Sequence, residues 1–161
     1  MKIIIAINNP AENDPGTPKK QVSSQEIMDI IRALSKGRNL MGGNCGVFAN
    51  AMARYLTSQG IPVQLVFIGN SPDGSYDEHD LYHVVIKANG VYYDGSGQIG
   101  DLFSYVDNFS TEQYGNPSPS IHAANFDPET AREARINTNY SVSEDALYNE
   151  ITRIAQGMVK K

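Results

Sequence analysis

The sequence predicts an α+β chain, and three observations carry that reading. Apolar residues recur at helical spacing near the front, in the middle and at the end of the chain. A β-prone run, Val63 to Ile68, follows the middle helical stretch. Beyond it, Asn89-Gly90 separates two further β-rich runs, Tyr82 to Ala88 and Val91 to Asp94, which is the pattern of a two-residue type I′ hairpin turn.

Taken in order, Met1 to Ile7 is apolar but short, and Asn8-Asn9-Pro10 follows without a small-residue cleavage pattern. It reads as a buried strand or docking arm rather than a signal peptide. Asn9 to Lys20, with Pro10, Pro15, Pro18 and Gly16, reads as a loop. A first helix starts at a Ser23 or Ser24 cap, carries Ile27, Ile30, Ile31 and Leu34 on one face, and ends at Lys36-Gly37. A second begins at Cys45, is marked by Phe48, Ala51, Met52, Tyr55 and Leu56, and closes at Gln59-Gly60 and Pro62. Gly69 to Asp80 is a polar loop. After the hairpin, Leu102, Phe103, Tyr105 and Val106 suggest a short helix, Tyr114 to Ser120 a proline-bearing loop, and Asp127-Pro128-Glu129 a helix start. The last helix runs from a Ser143 cap to Met158, with Leu147, Ile151, Ile154 and Ala155 on one side.

At 161 residues the chain suits one domain, residues 1–161, able to bury a core without metal or disulfide staples. Its 40% hydrophobic and 19% charged composition is that of a water-soluble protein, and no run approaches the roughly 18 apolar residues of a membrane span. Cytoplasmic placement is the expectation. Thirteen basic residues against eighteen acidic ones leave a net charge of -5, and the basic ones are scattered apart from Lys19-Lys20 and Lys160-Lys161. That argues against nucleic acid and against a membrane surface, and favours peptides, proteins or small molecules as partners.

The single cysteine, Cys45, allows neither an internal disulfide nor a sulfur-based zinc site. It stands where the turn Gly42-Gly43-Asn44 enters the second helix. Unpaired amide N–H groups and the helix dipole stabilise a thiolate there, lowering a cysteine pKa from about 8.5 into a range of roughly 3.5 to 7.5. With a two-residue turn, Ala88 faces Val91, Lys87 faces Tyr92, Ile86 faces Tyr93 and Val85 faces Asp94. Alternation then places His83, Val85 and Lys87 on one face with Tyr92, Asp94 and Ser96. His83 and Asp94 become diagonal neighbours, about 7 to 8 Å apart at the backbone, within reach of each other's side chains. The trio supplies a nucleophile in Cys45, a proton carrier in His83 and an orienting carboxylate in Asp94. The backbone N–H of Cys45, helped by the side-chain amides of Asn39 or Asn44, is the expected oxyanion donor set.

Gly43-Asn44-Cys45-Gly46-Val47-Phe48-Ala49 opening a helix, Tyr82-His83-Val84-Val85-Ile86 on a strand and Val91-Tyr92-Tyr93-Asp94-Gly95 on the next together resemble the transglutaminase-like branch of the papain-like cysteine enzymes. The resemblance covers Asn39 to Gly97, and its specific part is the order Cys, His, Asp with a hairpin joining the last two. It implies a papain-like α+β core with the nucleophile helix packed on an antiparallel sheet. It further implies catalysis through a thioester on Cys45, as in the family's proteases, amidases, deamidases, cross-linkers and acyltransferases, acting on a peptide, protein or small amide. Asn39 stands where papain-type proteases carry a glutamine, and the chain has no tryptophan.

Each element also has a plainer reading. Cys45 can be a buried hydrophobe, His83 a core histidine and Asp94 a turn former, which together describe a catalytically silent binding domain of the same fold. His122 is a reserve candidate for the base. Asp73, Asp77, Glu78, His79 and Asp80 form an acidic loop without EF-hand spacing, so the expectation is no metal and no cofactor.

Overall fold

A computed structural model of the protein describes residues 2–5, 22–41, 44–70, 81–114, 119–136 and 142–159. Along them run β1 (Lys2–Ile5), α1 (Ser24–Leu34), α2 (Cys45–Ser58), β2 (Val63–Gly69), β3 (Leu81–Ala88), β4 (Val91–Asp94), β5 (Gly97–Ile99), α3 (Leu102–Tyr114), β6 (Ser120–Asn125), α4 (Pro128–Ala134) and α5 (Glu144–Val159). The described strands form a six-stranded sheet in the order β1-β6-β2-β3-β4-β5. The class is α+β. Pairing is antiparallel except at one edge, where β1 lies parallel to β6, so the sheet is not wholly antiparallel as the family resemblance implies. A parallel pair needs a long crossover, and the stretch between Ile5 and Ser120 supplies one.

The middle of the protein is α2. From Gly46 to Ala53 every residue is buried, as are Tyr55 and Leu56, the signature of a helix covered on all sides rather than along one stripe. It packs on β3 and β2 and is backed by α4 and α5. The close approach of α4 depends on Gly46, where a Cβ would stand 1.8 Å from the Ala134 carbonyl oxygen. Beside it, Asn50 Nδ2 donates to the Ala131 carbonyl at 2.8 Å, meeting one of the carbonyls that the last turn of α4 leaves open. In α1 the Ser23 hydroxyl caps the helix by accepting from the Glu26 N–H at 3.1 Å. Ile27, Ile30, Ile31 and Leu34 are each no more than 3% exposed, and each such aliphatic side chain contributes about 1.5–3 kcal/mol on burial. The helix stops at Leu34 with Ser35 as its cap, just short of the predicted Lys36-Gly37, and Gly37 turns the chain at φ +76°.

The hairpin has the predicted register: Ala88 pairs with Val91, Lys87 with Tyr92 and Ile86 with Tyr93. Asn89 and Gly90 both take positive φ, 54° and 77°, as a type I′ turn requires. The sheet therefore has two distinct faces. Leu65, Phe67, Val84, Ile86 and Tyr93 join the larger core with α1, α2 and α5. Val66, Ile68, Val85 and Ile121 turn the other way and meet Leu102, Tyr105 and Val106 of α3.

Three elements depart from expectation. Instead of a short helix, α3 runs for 13 residues, starting where Asp101 Oδ1 accepts the N–H groups of Phe103 and Ser104 at 3.1 and 3.3 Å. It takes in Tyr114, and β6 takes in Ser120, the two ends of the predicted loop. Strand β6 is rich in alanine, which carries little β preference. Its strand conformation comes from filling the slot between β1 and β2. Strand β5 is only three residues long, too short to show alternation. The loop segment Asn9 to Lys20 and the acidic residues Asp73, Asp77, Glu78, His79 and Asp80 lie outside the described residues. Among the described residues no helix is long and apolar enough to cross a membrane.

Candidate active site

Cys45 is the first residue of α2, with Asn44 in the cap position. The first intrahelical bond runs from the Phe48 N–H to the Asn44 carbonyl at 2.9 Å, so the N–H groups of Cys45, Gly46 and Val47 have no partner within the helix. The half-buried thiol is met by backbone N–H groups from two directions, Gly46 of its own helix and Val84 of β3.

From β3, His83 presents its ring on the same sheet face as Asp94 of β4, as alternation from the Asn89-Gly90 turn dictates. The diagonal is bridged: His83 Nε2 lies 3.0 Å from Asp94 Oδ2, with the two residues 2% and 1% exposed. His83 also hydrogen-bonds the Cys45 side chain. With Nε2 turned toward Asp94, Nδ1 is the nitrogen left to serve the sulfur. The structure thus brings Cys45, His83 and Asp94 into one chain of hydrogen bonds.

Asp94 is held at both oxygens. Oδ1 accepts from the Ser96 N–H at 2.8 Å and the Ser96 hydroxyl at 2.5 Å. Oδ2 accepts from the Tyr105 hydroxyl at 2.5 Å as well as from His83, and Tyr105 Oη stands 3.1 Å from His83 Nε2. Tyr105 joins this cluster, and the Cys, His, Asp pattern in the sequence does not contain it. In the sequence Tyr105 stands only as one residue of a predicted short helix, and nothing there shows that α3 covers the His83 face of the sheet.

The electrostatics follow from these partners. Burial pushes the Cys45 thiol up, but the His83 hydrogen bond and charge, with the Val84 and Gly46 N–H groups, outweigh it and leave the thiol below its ordinary value. Burial pushes His83 down, yet the bonds to Asp94 and Cys45 and their charges raise it to about 9. Burial would raise Asp94, and its bonds to His83, Ser96 and Tyr105 instead hold it below the usual carboxylate range. Tyr105 is raised far above an ordinary phenol by burial and by the Asp94 carboxylate, so it remains a proton donor throughout. The combination favours a thiolate–imidazolium pair backed by an ionised carboxylate, a set that titrates as a unit.

Asn44 directly precedes Cys45 as the cap residue of α2. Asn44 Nδ2 donates to the Asn39 carbonyl at 2.9 Å, and Asn39 Oδ1 accepts the Met41 N–H at 2.8 Å. These bonds brace the connector that delivers Cys45. His122 of β6 pairs with Phe67 in register, their ring centroids 6.2 Å apart, on the sheet face opposite His83. No group of three or more His, Cys, Asp or Glu among the described residues could hold a metal ion. Neither a family model, nor a curated protein, nor a solved structure matches this chain.

Proposed function

We propose that the protein is a cysteine-dependent hydrolase or acyl transferase of the papain-like, transglutaminase-like kind, acting on an amide or peptide bond through a thioester on Cys45. The observation that carries this reading is the continuous Cys45–His83–Asp94 chain, with the thiol at the first position of a buried helix. The Cys45 thiolate attacks the carbonyl carbon, and the developing oxyanion is met by N–H groups of the first turn of α2. Imidazolium His83 passes its Nδ1 proton to the departing nitrogen, the C–N bond breaks, and the acyl group stays on sulfur. Neutral His83 then takes a proton from water, for hydrolysis or deamidation, or from an amine, for transfer, as the water oxygen or amine nitrogen bonds to the acyl carbon; the C–S bond breaks and the Cys45 thiolate leaves. Asp94 keeps Nε2 protonated and supports the cation. The substrate is a peptide, a protein or a small amide met in the cytoplasm.

The test is the rate of iodoacetamide labelling of Cys45 against pH in the wild type and in His83→Ala. Labelling that stays fast below about pH 7 and is lost or shifted upward in the variant supports an activated thiolate. Slow labelling in both, with the midpoint of a free thiol, overturns the proposal and leaves a silent binding domain.

A further inference from the structure

We infer that Tyr105 is a positioning residue for this relay: by donating to the Asp94 oxygen that also holds His83, its hydroxyl sets how much of the carboxylate charge the imidazole receives. The inference rests on the function proposed above and adds a residue that the Cys, His, Asp pattern does not contain.

Three polar atoms form a closed triangle. Tyr105 Oη is 2.5 Å from Asp94 Oδ2, Oδ2 is 3.0 Å from His83 Nε2, and Nε2 is 3.1 Å from Oη. The shortest side is a hydroxyl donating to a carboxylate, the strong, charge-assisted kind of hydrogen bond. It draws charge off the very oxygen that supports imidazolium, whereas both Ser96 donors act on Oδ1. A general acid works best when it is neither too weak nor too strong a holder of its proton. An Asp94 shared only with His83 would grip the Nε2 proton harder and make the imidazolium reluctant to release its Nδ1 proton to a leaving group.

The anchoring of α3 does not depend on that hydroxyl. Leu102 and Val106 sit in the apolar cluster with Val66, Ile68, Val85 and Ile121, and the Tyr105 ring packs beside them. The Asp101 carboxylate separately fixes the start of the helix. Phenylalanine at 105 therefore keeps the packing and removes only the donor. Among the described residues, the titratable groups that meet His83 are Cys45 from α2, Asp94 from β4 and Tyr105 from α3. One hydroxyl can thus be removed with the other two in place.

The experiment is an NMR titration of the His83 ring in the wild type and Tyr105→Phe, with iodoacetamide labelling of Cys45 run alongside. The expected result is an upward shift of the His83 midpoint by roughly half to one pH unit in Tyr105→Phe, with Cys45 still labelled rapidly at neutral pH. A second variant carries 3-fluorotyrosine at 105, a stronger donor of the same shape, and is expected to shift the midpoint downward. A midpoint that moves in neither variant, even with altered thermal stability, reduces Tyr105 to an anchor of α3 and overturns the inference. The relay itself has a separate readout. If wild-type His83 titrates near its ordinary 6.5 and His83→Ala labels like the wild type, the proposed function falls and this inference with it. If those controls behave as expected and only the two Tyr105 variants are silent, this inference alone falls.

Discussion

Leu40 lies against Gly95 so closely that a Cβ on the glycine would stand 2.5 Å from Leu40 Cβ and 2.9 Å from its carbonyl oxygen. The contact joins the connector that leads into Cys45 to the turn that follows Asp94, so it sets the spacing between Cys45 and the His83–Asp94 pair from outside the hydrogen-bonded chain. Because backbone as well as side chain is in the way, Gly95→Ala must push the connector outward. The expected cost is about 1–3 kcal/mol of stability, read by chemical denaturation. Displacement of Cys45 from His83 is expected to slow iodoacetamide labelling at neutral pH by roughly tenfold or more.

The pH dependence follows from the directions of the two shifts. The proposed turnover needs Cys45 deprotonated and His83 protonated together. At their ordinary values of 9.0 and 6.5 the histidine would lose its proton before the thiol did, and the reactive form would be scarce. With Cys45 lowered and His83 raised to about 9, the order is reversed. The reactive form grows as pH climbs through the lowered thiol value and is lost as pH passes about 9. A titration of thiolate ultraviolet absorbance paired with NMR of the His83 ring is expected to show that window in the wild type. In His83→Ala, thiolate formation moves toward the ordinary value.

The parts legible in the sequence are those encoded by short-range rules. Asn89-Gly90 demands positive φ at both positions, which sets the register, which in turn puts His83 and Asp94 on one face. Ser23, Asp127 and Ser143 announce their helices by capping, each accepting from a first-turn N–H. What escaped is set by tertiary packing. The strand at Ser120–Asn125 owes its conformation to neighbours on both sides rather than to its own alanines. Tyr105 reaches Asp94 only because α3 covers one particular face of the sheet, and Gly46 and Gly95 matter because other backbone runs into the space beside them. None of these leaves a periodic trace in the chain.

Gly90→Ala separates turn strain from site geometry. Gly90 has φ +77°, and no atom lies within 4 Å of where a Cβ would stand, so the substitution meets strain without collision. The expected loss is about 1–2 kcal/mol, the cost of left-handed backbone for a residue with a Cβ. The interstrand bonds still fix the register, so the labelling rate of Cys45 is expected to match the wild type while the denaturation midpoint falls. A changed labelling profile in a folded Gly90→Ala would mean that the turn does more than set pairing.

Asp94→Asn keeps the shape of the carboxylate and removes its charge. Asn can also present an N–H toward His83 Nε2, which makes that nitrogen an acceptor and moves the ring proton to Nδ1, the wrong side for a base serving Cys45. For the proposed relay the loss is expected at roughly 10²- to 10⁴-fold in turnover, accompanied by a fall in the His83 midpoint on NMR titration. Stability supplies a second readout with a fixed sign. Since Asp94 in the fold lies below its ordinary 3.8, its ionised form adds stability above about that pH, and the contribution disappears as acidification passes the lowered value. Asn cannot titrate and has none of it. Denaturation midpoints of wild type and Asp94→Asn are therefore expected to stand apart at neutral pH and to converge in acid, and a gap that persists unchanged in acid would show that Asp94 is not held as a carboxylate.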